Sequence, residues 1–449
     1  MDEGLILARA QFGLNIGFHI LFPTITIGLA WILVWFRVRY EMTQGEEWLR
    51  AYKLWVRIFA LTFAMGVVTG VVMSFQFGTN WPGYMNHVGN IAGPLLAYEV
   101  LTAFFLEATF LGIMLFGMER VSGRVHVAAS IIVALGTMLS AFWILALNSW
   151  MQTPAGHVNS PNGIVAASWW AVIFNPSFPY RLAHMLLASG ITASFLVAGL
   201  SAWRLLAAPA DAAAHDTLRF GARLAAVLVP LQILVGDMHG LNTLEHQPAK
   251  IAALEAIWHT ERGVALTLVG IPNEEQRRTD YALMLPKAGS LILAHDANAE
   301  IRGLDEFKDH PPVAPVFFAF RAMVGMGVLM LLVAWGSQYW LRRKISAPPR
   351  WLLWVFSGFT FAGWVATLAG WLVTEIGRQP WLVTGILRTA DAVGPAGGAK
   401  LGASLTAYVV TYAALLLAYM VTLTHMARNS GSGTDFRAKS VPDPNFQRR

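Results

Sequence analysis

Residues 351–381 read WLLWVFSGFTFAGWVATLAGWLVTEIGRQPW, and residues 351–374 of that stretch carry no charged side chain. About 20 apolar residues rising 1.5 Å each cover the roughly 30 Å hydrocarbon core of a bilayer, so this run is long enough to cross one. It ends in Glu375 and Arg378, with Trp371 before them and Pro380 and Trp381 after. A charge at the centre of a membrane helix costs roughly 2.5–3.5 kcal/mol on insertion scales. Glu375 and Arg378 stand i, i+3, close enough to neutralise each other, and tryptophans suit the membrane interface. That pairing explains the two charges without explaining their setting, and Arg378 is free to hold a second anion.

The rest of the chain has the same character. Of 449 residues, 56% are hydrophobic and 13% charged, with a mean hydropathy of +0.51. Soluble domains carry about 25% charged residues. Nine apolar runs have bilayer length, near 12–36, 52–77, 91–118, 125–147, 180–206, 217–236, 314–341, 351–376 and 401–427. The expected fold is therefore an all-α integral membrane protein with nine transmembrane helices. Residues 1–236 carry helices 1–6, and 314–427 carry helices 7–9. Residues 237–313 form a long outer loop between helices 6 and 7. The start, MDEGLILARAQ, reads as the first span rather than a cleavable leader, having no basic segment ahead of its apolar stretch.

Loop charges orient the chain. Arg37, Arg39, Arg50 and Lys53 lie in the first loop, Arg120 and Arg124 in the third, Arg204 and Arg219 in the fifth. The second loop, GTNWPGYMNHVGN, has no Lys or Arg. The positive-inside rule then places the N-terminus outside, the C-terminus in the cytoplasm, and 237–313 on the outer side. The tail, 428–449, reads as disordered and cytoplasmic. The net charge of +6 is thus a topology signal, and scattered basic residues at helix ends give no support to a nucleic-acid partner. There is no cysteine, which excludes thiolate-ligated Fe–S clusters, covalently attached haem and disulfides. A redox metal must be held by His, Met or carboxylate.

Polar residues within spans are the candidate sites. His19, in FGLNIGFHILFP, either bonds a neighbouring helix or offers a neutral imidazole to a metal. His184 stands near a span end, as do His126 and His425. Glu99 and Glu107, with Ala103 between them, put two carboxylates on one helix face about 12 Å apart; such groups mark ion or proton routes, or partners of cofactors. Ser140 and Asn148 repeat that eight-residue separation on the next span. Arg321 must meet an anion, either a carboxylate such as Glu99 or Glu375 or a haem propionate. Met323 and Met326 beside it are each equally placed as core filling.

Together these stretches resemble subunit I of the cytochrome bd quinol oxidases. The strings that carry the resemblance include GFHILFP, TGVVMSFQFGTNW (69–81), LAYEVLTAFFLEATFLG (96–112) and LNSWMQTPAG (147–156). It continues in LAHMLLASG (182–190), QPAKIAALEAIW (247–258), FAFRAMV (318–324) and EIGRQPW (375–381). The resemblance implies a low-spin haem b on His184 and Met323 with Arg321 beside it, and a high-spin haem b on Glu375. It implies a third haem, d or b, on His19 with Glu99 nearby, and a proton route through Glu107 and Ser140. Trp371 would lie among the haems, and Arg378 would face a propionate or keep Glu375 ionised. Lys250 and Glu255, with Asp237 as a third, would handle quinol in the outer loop. The short loop, worded LNTLEHQPAKIAALEA, is similar to the cyanide-insensitive branch of the family. The implied enzyme is a terminal quinol oxidase of the bacterial cytoplasmic membrane. It would oxidise quinol outside and reduce dioxygen to water, generating proton motive force without pumping. A second membrane subunit and a small accessory subunit would accompany it. Two other readings compete: a haem-binding electron-transfer subunit without oxygen chemistry, and a proton-coupled transporter using its buried carboxylates.

Overall fold

The computed structural model describes residues 3–102, 108–161, 163–342, 347–395 and 397–429. Long helices dominate, because in lipid every backbone N–H and C=O needs an internal partner. The chain opens with α1 (Glu3–Thr43), α2 (Glu46–Thr79), α3 (Pro82–Thr102), α4 (Ala108–Phe116) and α5 (Gly123–Gln152). A short hairpin, β1 (His157–Ser160) with β2 (Gly163–Ala166), and α6 (Trp169–Ile173) lead to α7 (Phe178–Ala207) and α8 (Ala212–His246). The long connection holds α9 (Pro248–Glu255), β3 (Glu261–Arg262), β4 (Leu266–Asn273), β5 (Arg278–Leu285), α10 (Ala288–Ala294) and β6 (Glu300–Ile301). Then come α11 (Val313–Gly336), α12 (Arg350–Gly358), α13 (Ala362–Ile376), β7 (Trp381–Val383), β8 (Leu387–Arg388), α14 (Thr389–Ala392) and α15 (Gly398–Asn429).

Among the described residues, eight helical stretches are long and apolar enough to cross a membrane, with α12 and α13 acting as one. The remaining expected span, 91–118, falls on α3 and α4 either side of 103–107. Glu107 lies in that gap, outside the described residues. Among the described residues the strands sit in connections, as four antiparallel two-stranded sheets. Hydropathy does not foresee them, since it reports apolar length rather than backbone pairing.

Helix α1 is central and packs against α2, α5, α7, α13 and α15. Close approach to α7 depends on Gly28, where a Cβ would stand 2.3 Å from the Ser189 carbonyl oxygen. Gly363 likewise lets α13 close on Thr192 of α7. Small residues at crossings are how membrane helices gain dispersion contact without a hydrophobic drive between them. At the α7–α8 corner, Asp211 caps α8 by accepting from Ala214 N–H at 3.2 Å and pairs with Arg204 at 2.5 Å.

Two expected boundaries are corrected. Helix α8 continues to His246, so the long connection begins at 247 and Asp237 belongs to a helix, not to the loop. The apolar run stops at 236, but the helical hydrogen bonds do not need apolar side chains and continue for ten residues more. At the other end α15 reaches Asn429, so Arg428 is helical, stacking over Trp203 at 5.3 Å; residues 430–449 lie outside the described ones.

Candidate haem and quinol sites

The helices enclose a cavity of about 1050 Å³, lined among others by His19, Glu99, Ser140, Trp371, Glu375 and Arg378. Single small-molecule pockets run about 300–1,000 Å³, so this space is at the upper end of that range or beyond it. Helix α1 brings His19, α3 brings Glu99, α5 brings Ser140 and Asn148, and α13 brings Trp371 and Glu375.

His19 Nδ1 bonds Thr69 Oγ1 on α2 at 3.0 Å. A hydrogen bond on one ring nitrogen fixes the ring and leaves the other to bind a metal. Ser140 donates to Glu99 at 3.4 Å. Ser140 therefore serves Glu99; the Glu107 that the resemblance joins to it lies outside the described residues. Eight residues on, Asn148 Nδ2 donates to Glu375 Oε1 at 3.0 Å. The polar repeat on α5 thus matches two carboxylates on two other helices.

Glu375 also accepts from Gln152 Nε2 at 3.4 Å and is paired with Arg378. The pairing seen in the sequence is real, and it does not exhaust the guanidinium: Nε and Nη1 of Arg378 are buried with no hydrogen-bond partner. Trp371 Nε1, one turn before Glu375, is also buried and unpartnered.

His184 and Met323 lie on α7 and α11. His184 Nδ1 is buried and unpartnered, and its ring meets that of His239 on α8 at 5.5 Å. Met326 packs into the apolar cluster between α7, α8 and α12, which makes it the core residue of the two methionines. Met323 instead faces Gly370, where a Cβ would stand 2.9 Å from its sulfur. Gly70 and Gly236 face His19 and His184 in the same way, a Cβ there falling 3.1 and 3.5 Å from the imidazole Cε1. Three of the four candidate iron ligands, His19, His184 and Met323, are thus each met by a glycine.

Among the described residues no group of three or more His, Asp or Glu could hold a bare metal ion. Isolated His, Met and Glu donors, glycines beside three of them and unused buried N–H groups fit a haem, which would bring its own nitrogen ligands and carboxylates.

The second site is in the long connection. Glu255, at the end of α9, is 5% exposed and pairs with Arg321 Nη2 at 2.9 Å. The anion Arg321 requires is therefore Glu255, rather than Glu99 or Glu375. Its other N–H groups bond carbonyls of Leu254 (2.7 Å), Phe317 (3.2 Å) and Thr267 (2.5 and 3.1 Å). The guanidinium is fully engaged within the protein, which leaves no donor for a propionate. Burial pushes the Glu255 carboxyl up to about 7, against the opposing pull of Arg321. Lys250 is 4% exposed. Its ammonium bonds Gln152 Oε1 (2.7 Å), Gln247 Oε1 (2.9 Å) and the Thr374 carbonyl (3.4 Å). Burial, then the nearby Arg181 and Arg378, hold it well below the usual lysine range, with Glu375 opposing. Asp237 is apart from this group, bonded to His295 at 3.0 Å. Gln152 was not singled out in the sequence, although the motif LNSWMQTPAG contains it; its amide joins Lys250 and Gln247 to Glu375.

The profile of the cytochrome bd terminal oxidase subunit I family matches residues 7–431. The chain belongs to that family. It is 33% identical over 404 residues to cytochrome bd ubiquinol oxidase subunit 1 of Bacillus subtilis, covering 87% of this chain and 86% of that one. It is 31% identical over 499 residues to cytochrome bd-II ubiquinol oxidase subunit 1 of Escherichia coli, covering 95% and 97%. The solved bd oxidase of Geobacillus thermodenitrificans superposes with a TM-score of 0.89 at 29% identity, over 96% of this chain and 100% of that one. Membership of that family makes the chain part of a quinol:oxygen oxidoreductase, not a transporter.

Proposed function

We propose that this chain, a membrane subunit of a quinol:oxygen oxidoreductase, holds three haems and oxidises quinol on the long-loop side. His184 and Met323 would hold a low-spin haem b and Glu375 a high-spin haem b. His19 would hold the third haem, d or b. When bound, these groups supply one-electron transfer and the iron at which dioxygen is reduced to water. The observation that carries the reading is the convergence of His19, Glu99 and Glu375 on one cavity beside the unpartnered Arg378 and Trp371 donors.

The chain's own residues manage protons and charge. Glu255, with its carboxyl near 7, takes a quinol hydroxyl proton when ionised and gives it up on the same side. Arg321 fixes that carboxylate and ties it to β4. Lys250 anchors α9 through Gln152 to the helix that carries Glu375. In the cavity, Glu99 with Ser140 holds a proton within reach of the His19 site, and Glu107 would supply it from the opposite side. Protons released outside and taken up from the cytoplasm separate charge without a pump. The enzyme would work in the bacterial cytoplasmic membrane with a second membrane subunit and a small accessory subunit.

The ligand assignment is tested by Met323→Leu. The low-spin spectrum should convert to high-spin at unchanged haem content, while Met326→Leu leaves it low-spin. The reverse outcome would move the ligand to Met326.

A further inference from the structure

The segment 266–295 exposes more apolar surface than a loop in water should. Tyr281 is 91% exposed, Val269 65% and Leu283 60%, and Met284 and Leu285 are each 46%. On α10, Leu291 and Ile292 add 52% and 50%. Contiguous apolar patches of this kind mark a protein or membrane contact.

Four bonds fix where this segment stands. At the hairpin's base, Thr267 is clasped by Arg321 of α11 through its carbonyl, at 2.5 Å. Toward its tip, Glu274 accepts from Val313 N–H at the start of α11, at 2.7 Å. Thr279 accepts from Trp258 Nε1 at 3.1 Å, and His295, closing α10, bonds Asp237 of α8 at 3.0 Å.

Asp237 marks the level: the apolar run of α8 ends at 236, so Asp237 sits where that span leaves the hydrocarbon, while Arg321 stands about two turns inside the outer end of α11 (Val313–Gly336). From Arg321 to Val313 is eight helical residues, about 12 Å farther out. The hairpin base and α10 are thus at the membrane boundary, and the tip stands in water. Charge follows this gradient: the tip reads EEQRR (274–278), whereas 264–273, 281–286 and 288–294 carry no charge. The one charge between the last two, Lys287, has a long stem that can reach out to water and bonds Asn298 at 3.0 Å. Flanks of α8 and α11 beside the patch are themselves exposed, at Leu234 (57%), inward of Asp237, and at Phe318 (49%), one turn outward of Arg321.

We propose that the base of the β4–β5 hairpin and α10 form a lipid-contacting surface, seated in the interfacial zone of the leaflet on the long-loop side. Lipid is the occupant that matches the depth, the charge gradient and the continuity with the lipid-facing helices. On the functional reading above, a lipid-soluble quinol would pass along this surface to Glu255, since Arg321 clasps both the hairpin base and that carboxylate.

The chain has no cysteine, so single replacements give unique labels in it. Leu283→Cys, Met284→Cys and Ile292→Cys report the base, and Gln276→Cys reports the tip. Each is spin-labelled in the full complex in phospholipid nanodiscs, with the complex lacking the new cysteine as blank. Power saturation compares collision with dioxygen, which partitions into lipid, and with a water-soluble nickel chelate. The proposal expects dioxygen to dominate at 283, 284 and 292 and the chelate at 276. Chelate dominance at the base would place it in water, and shielding from both reagents would place it under protein; either result overturns the proposal. Turnover is not the readout, so failure here is distinct from failure of the oxidase reading.

Discussion

Glu255 combines a buried carboxylate with a guanidinium partner, and burial wins: its carboxyl is raised to about 7. A proton acceptor must be ionised, so the rate of quinol oxidation should rise with pH through about 7 and level off above it. Glu255→Gln should remove that limb and lower kcat by about 10²-fold or more, the usual scale for a positioned base; a retained pH limb would assign it to another group. At this scale the sequence was informative wherever a polar side chain interrupts an apolar run. His19, Glu99 and Glu375 stood out for that reason, and all three line the cavity. Gln152 did not, because an amide at a span end has no unusual cost and its bonds to Lys250 and Glu375 join residues about a hundred and two hundred positions away. Arg321 was legible as a cation needing an anion, but the choice among carboxylates depended on the loop's path, which no local pattern encodes.

At the scale of elements, the long connection is fastened rather than draped. Arg321 joins α9, β4 and α11 in one clasp, and Glu274 and Trp258 hold the hairpin along it. Arg321→Gln would leave Glu255 buried without its ion pair, a change costing about 3–5 kcal/mol when a charge remains unpaired. Protease in limiting amount should then cut between 256 and 312 well before it cuts the spans, and faster than in the unsubstituted protein. Equal cutting rates would show that the clasp does not hold the loop. Apolar run length read the spans well and their ends poorly, since α8 extends ten residues beyond its apolar run. The β4–β5 pairing was not foreseen, because its outward residues are apolar and break the alternation expected of a half-buried strand.

At the scale of the whole molecule, α1, α2, α3, α5, α7 and α13 line the cavity, and the long connection packs on α8 and α11. That order of spans and loop was readable because lipid imposes length and charge rules on every crossing. The pairing of His184 with Met323, by contrast, came through family resemblance, since neither position is distinctive alone. On the proposed function, haems held in this scaffold pass electrons from quinol to oxygen. The direct measurement is oxygen consumption driven by added quinol in the purified complex, recorded together with its reduced-minus-oxidised absorption spectrum. Both low-spin and high-spin haem bands should appear, reduced by quinol and reoxidised as oxygen is consumed. A complex without haem bands, or one whose bands stay oxidised when quinol is added, would contradict the proposed function.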